Sequence, residues 1–122
     1  MAGHRDLFIW RESVDLAVRI VQLTDGFPHH QRHVLVEQMQ RAAVSVPSNL
    51  SEGKGRLSQR DLRRHVGIAR GSLYELDTQT EIAARLGLLT PSCKQELDGR
   101  IATLSSGINA LLKRLDKSST AP

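Results

Sequence analysis

Leu97, Ile101, Leu104, Ile108, Leu111 and Leu115 step by four and three residues without a break. That spacing puts all six on one stripe of an α-helix, and a stripe of six large aliphatics has to be covered by other helices or sheets. Three earlier segments carry stripes of the same period. Trp10, Val14, Ala17, Val18 and Val21 mark a first helix over about Phe8–Thr24. Leu35, Met39, Ala42, Ala43, Val46 and Leu50 mark a second, starting near His29 or His30. Leu62, Val66, Ala69, Leu73, Leu76, Thr80 and Ala83 mark a third, ending near Leu86. Four stripes of helical period within 122 residues predict a single all-α domain spanning 1–122, with short flexible termini including the tail after Lys117. With short connections, the simplest packing is an antiparallel up-down-up-down four-helix bundle.

The punctuation agrees. Asp25-Gly26-Phe27-Pro28 stops one helix and restarts the chain, with Gly26 suited to a left-handed cap and Phe27 to plugging the bundle end. Ser58 is a fitting N-cap, with Asp61 in the first turn. Thr90-Pro91 opens helix four and Gly87 closes helix three. Pro47 falls inside the stripe of helix two, so a kink or restart is expected there. Gly53 and Gly55 are expected to end that helix, and Gly67 and Gly71 to mark a close helix contact.

Composition bears on function mainly by exclusion. Phe8, Trp10, Phe27 and Tyr74 are the only aromatics, too few for a base-stacking platform. Cys93 is the only cysteine, so one chain can form neither a disulfide nor a thiolate cluster, and the usage suits a reducing compartment. No apolar run is long enough to span a membrane and no secretory leader is evident, so a cytoplasmic location is expected. The net charge of +4 is compatible with a polyanionic partner.

Sixteen residues, Arg41 to Arg56, read RAAVSVPSNLSEGKGR and hold most of the unusual polar chemistry. Arg41, Ser45, Asn49 and Glu52 recur at four, four and three, on a shoulder beside the apolar stripe. Ser72, Glu75 and Gln79 form a matching strip on helix three. A polar network between the two helices is expected, with Arg41 or Asn49 meeting Glu75 or Glu52. Glu52 and Glu75 with His65 also raise a metal or acid–base site, but the chain has no Glu-x-x-His repeat. His29, His30 and His33 have only Glu37 near them in sequence. No nucleophile turn accompanies the serines or Cys93, and Gly53-Lys54-Gly55-Arg56 lacks the strand and length of a phosphate loop. No catalytic residue, metal or cofactor is therefore assigned.

Lys54, Arg56, Arg60, Arg63, Arg64 and Arg70 form the strongest functional candidate, a basic row facing only Asp61 over that interval. Such a row can track RNA or DNA backbones.

Asp6-Leu7 with Trp10, Phe27-Pro28, the run Arg41–Gly53, Gly55–Ser58, Ile68–Gln79 and Leu86-Gly87 together resemble the four-helix-bundle family of bacterial ribosomal-RNA intervening sequences. The resemblance covers nearly the whole chain. It implies a compact antiparallel bundle that forms homo-oligomeric, commonly pentameric, rings, with no settled activity. A similar bundle, the accessory variability protein of diversity-generating retroelements, works with a reverse transcriptase and nucleic acid. The expected role is a non-enzymatic oligomeric bundle binding nucleic acid or a nucleic-acid-processing protein. The alternative is a structural or protein-interaction module without nucleic-acid contact.

Overall fold

The computed structural model describes residues 3–120, with side chains to 117. The expected flexible termini fall on residues 1–2, 121–122 and the side chains after Lys117, which lie outside the described residues. Among the described residues there are four α-helices: α1 (His4–Thr24), α2 (Glu37–Lys54), α3 (Gln59–Arg85) and α4 (Pro91–Thr120). Each packs on the next, and α1 closes against α4, giving the up-down four-helix bundle.

The core is a continuous column of aliphatics from all four helices. Ile20, Met39, Val66, Leu73, Leu76, Leu97 and Ile108 are each 0% exposed. The inward stripes of α2, α3 and α4 are those expected from the periodicity, with Leu62 half-buried at its edge. That of α1 is not. Ile9, Leu16, Ala17 and Ile20 point inward, joined by Asp6, Ser13 and Thr24. Trp10, Val18 and Val21 are exposed and Val14 is half-buried. Helix α1 carries two apolar stripes roughly a quarter-turn apart, and periodicity alone does not say which one its neighbours cover.

Local chemistry explains the helix ends. Ser58 Oγ accepts from the Asp61 backbone N–H at 3.0 Å, and Thr90 Oγ1 accepts from that of Cys93 at 3.1 Å. Both close an orphan donor of a first helical turn. Gly87, at φ +76°, is the one described residue in the left-handed region. Gly26 does not adopt it, because α1 ends on Asp25 in a right-handed conformation.

Gly55 caps the C-terminus of α2 as expected, while Pro47 and Gly53 lie inside the helix. The helix runs unbroken through Pro47, which is buried. There is no restart, since only one ladder N–H is missing and core packing on both sides holds the helix. The irregular backbone lies earlier, as a 3₁₀ turn at His29–Gln31 and a π-turn at Arg32–Val36. Gly53 sits inside α2 rather than ending it. A Cβ there would meet His65 Cβ at 2.9 Å and Leu62 Cδ1 at 3.2 Å. Gly107 of α4 is similarly tight against Ile9 Cγ1, at 2.9 Å. Gly67 and Gly71 have nothing within 4 Å of such a Cβ, so they mark no helix contact. They face outward.

Ion pairs stitch neighbouring helices at the surface. Arg19 meets Glu96 at 3.0 Å, Lys94 meets Glu81 at 3.2 Å and Arg114 meets Asp6 at 2.7 Å. No helix is long and apolar enough to cross a membrane among the described residues.

Candidate nucleic-acid interface

Two polar regions meet at the α2–α3 turn, and they are built differently. The inner one is a chain of hydrogen bonds across the α2–α3 seam. Ser45 and Ser72 share a hydrogen bond of 2.8 Å. Asn49 Nδ2 donates to the Ser45 carbonyl at 2.9 Å and to Ser45 Oγ at 3.0 Å. That fixes the amide, so its Oδ1 faces His65 Nδ1 at 3.1 Å. The Glu52 carboxylate lies 3.9 Å from His65 on the solvent side and takes a 2.8 Å bond from Arg56. Arg56 first, then His65, holds the Glu52 carboxyl below the usual carboxylate range.

This chain joins Ser45, Asn49, Glu52 and Ser72, and adds His65. Arg41 and Glu75 stay out of it: both are exposed and neither forms a hydrogen bond or ion pair among the described residues. Long charged side chains at the shoulder of a helix keep their heads in water when a short uncharged pair can close the seam. Gln79 is buried, and its Oε1 has no partner among the described residues. His65, Ser72 and Gln79 recur every seven residues, which is the sequence signal for a shared face that a residue-by-residue search for metal ligands passes over. Glu75 does not approach Glu52, so the paired-carboxylate arrangement with His65 does not form. No three His, Cys, Asp or Glu side chains converge among the described residues. His29, His30 and His33 are exposed, and His33 pairs with Glu37 at 3.3 Å. Cys93 is half-buried, 3.9 Å from an Arg19 nitrogen.

The outer region is the basic row. Lys54, Arg56, Arg60, Arg63, Arg64 and Arg70 are all exposed, running from the end of α2 through the turn and up α3. Their charges are not equally available. Arg56 is engaged by Glu52, and Arg63 by Asp116 of α4, fifty-three residues away in sequence. Asp116 raises the Arg63 pKa and is itself held low. Asp61 is therefore not the only acid facing the row, because the fold brings Asp116 alongside. Arg70 stacks 5.0 Å from the centre of the Tyr74 ring, and its Nε donates to the phenol oxygen at 3.1 Å. Lys54, Arg60 and Arg64 have no hydrogen bond or ion pair among the described residues. Tyr74 also receives a 3.4 Å bond from Asn109 of α4. Asn109, Ser105 and Arg70, in that order, lower its pKa to about 8.

The family comparisons agree with this architecture. A solved structure from Bacteroides thetaiotaomicron, described as a protein of unknown function from the S23 ribosomal protein family, superposes with a TM-score of 0.83 at 22% identity. It covers 89% of this chain and 98% of its own, and at that identity it establishes the fold. No curated protein sequence matches. The family model described as 23S rRNA-intervening sequence protein matches residues 5–110, which reach from α1 into α4. With that match spanning most of its length, the chain belongs to the 23S rRNA-intervening sequence protein family.

Proposed function

We propose that this protein is a non-enzymatic, homo-oligomeric helical module that holds RNA or DNA by the phosphate backbone along the basic row of α3. The observation that carries it is the exposure of Arg60 and Arg64 on the first turns of α3 and of Lys54 at the end of α2, none of them in a hydrogen bond or ion pair among the described residues. Arg56, Arg63 and Arg70 flank them, each tethered to a neighbour that fixes its position. A rigid helix carrying cations at intervals of one turn matches a charged backbone rather than base edges. Contact should then be insensitive to sequence and strongly salt-dependent.

The test is fluorescence anisotropy with labelled structured RNA and duplex DNA over a salt series. The three cations in no ion pair, Lys54, Arg60 and Arg64, predict a log–log slope of about −3 on duplex DNA. Arg60→Glu with Arg64→Glu should abolish binding while leaving the far-ultraviolet circular dichroism unchanged. No binding of either nucleic acid at low salt would sink the proposal. The same row would then be a solvated face, leaving the protein-interaction role, which a separate observation favours: the exposed apolar stripe of α1.

A further inference from the structure

Leu7 and Trp10 stand three residues apart near the start of α1, and Ser51 and Lys54 three apart in the last turn of α2. That spacing puts each pair on one side of its helix. Antiparallel packing lays the start of α1 beside the end of α2, and the four side chains line a pocket of about 420 Å³ together with His4 and Asp6. The volume falls within the range of about 300–1,000 Å³ common to small-ligand sites. Two kinds of chemistry meet in it. Leu7 and Trp10 bring apolar surface, with the indole 37% exposed. Lys54 brings a cation that is in no ion pair or hydrogen bond among the described residues. Asp6, the acid of the lining, accepts from Arg114 of α4 at 2.7 Å, so its charge is already answered.

An apolar ligand would leave Lys54 unanswered, and a bare phosphate would leave Leu7 and Trp10 against water. A nucleotide carries both halves, a flat ring and an anion. Lys54 also belongs to the basic row, so a phosphate backbone that follows α3 to Lys54 arrives at this pocket. We infer that the pocket takes one unpaired base of a nucleic-acid strand, stacked on the Trp10 indole, while the phosphate attached to it rests on Lys54. The inference rests on the proposed function and adds to it a preference for unpaired over duplex strands. One ring serves one base, so the scarcity of aromatics that excludes a stacking platform does not exclude this contact. Every base has a π-face, so the stack is blind to base identity. An unpaired base enters at little cost, whereas a base in a duplex must first leave its stack and its partner.

Trp10 is the only tryptophan, so indole emission reports on this pocket alone. The full chain is titrated with an RNA hairpin carrying an unpaired loop and with the same stem as a blunt duplex. Anisotropy of labelled strands reads binding, and indole emission with unlabelled strands reads stacking. The hairpin should quench the indole and the blunt duplex should not. Trp10→Leu should raise the Kd for the hairpin about tenfold, with the Kd for the blunt duplex and the circular dichroism unchanged. Trp10→Phe should restore hairpin binding. Phe8→Leu, at an exposed aromatic outside the pocket, should alter neither readout. Adenosine monophosphate lacks the contacts to Arg60 and Arg64 and should need a concentration at least about a hundredfold higher to quench. Equal affinity would make the pocket a site for a free nucleotide and overturn the inference. Absence of all binding overturns this reading and the proposed function together. Hairpin bound with an unchanged indole overturns this reading alone. So does a Trp10→Leu variant that weakens the duplex as much as the hairpin, or an indole already shielded from acrylamide in the free protein.

Discussion

A missing methyl group has opposite consequences at different glycines of this bundle. At Gly53 the α2 backbone approaches α3 so closely that a Cβ would lie 2.9 Å from His65 Cβ, an atom tied to backbone. Gly53→Ala should cost about 1–3 kcal/mol as the helices are forced apart. Gly67 looks onto open space, so Gly67→Ala should stabilise by about 1 kcal/mol through helix propensity. Urea midpoints moving in opposite directions check the pair. Gln79 is a second case: Gln79→Met removes a buried carbonyl oxygen with no partner among the described residues and keeps the volume. It should raise stability by about 1 kcal/mol. Tyr74 is the only tyrosine, so its ionisation can be followed by absorbance alone. The phenol should titrate near 8, and Asn109→Ala should move it back toward 10. Because the folded-state pKa is depressed, the contribution to stability grows as pH rises from about 8 to 10 and is lost as pH falls back through 8. The order of events at these residues was not visible in the chain. Gly67 and Gly71 have the spacing of a contact motif, yet the close approaches are at Gly53 and Gly107.

At the scale of the helix, α2, α3 and α4 each have one apolar face and α1 has two. A helix with one face leaves no choice, which is why the inward residues of α4, Leu97 to Leu115, follow from spacing alone. In α1 the stripe of Trp10, Val14, Val18 and Val21 competes with that of Ile9, Leu16 and Ile20. The second wins inside the chain because Gly107 gives Ile9 room against α4. The α2–α3 seam depends on one amide. Asn49 accepts from or donates to three groups, so Asn49→Ala should strand His65 Nδ1 and loosen Ser45. A loss of about 1–3 kcal/mol in chemical denaturation is expected. Ser45, Asn49 and Ser72 were legible as a polar strip from their spacing. Arg41 and Glu75 share that spacing and remain in water, because the direction a long side chain takes at a helix shoulder is set by what stands opposite it.

For the molecule as a whole, the helical period, the caps at Ser58 and Thr90 and the break at Asp25–Pro28 are sufficient for an antiparallel bundle. These are local properties: hydrogen-bond closure at a helix end and the side on which a residue emerges depend on near neighbours in the chain. Which face of α1 is covered, which glycines touch, and which cations of the basic row are neutralised are contacts between residues far apart in sequence. Arg63 reads as a free cation until α4 folds back and sets Asp116 beside it. His65 reads as a stray ligand until α2 brings Asn49 to it. The sequence by itself therefore determined the four helices, the caps at Ser58 and Thr90, and the order of the helices. Only the tertiary structure decided the surface, because exposure and net local charge are fixed by what the other helices cover.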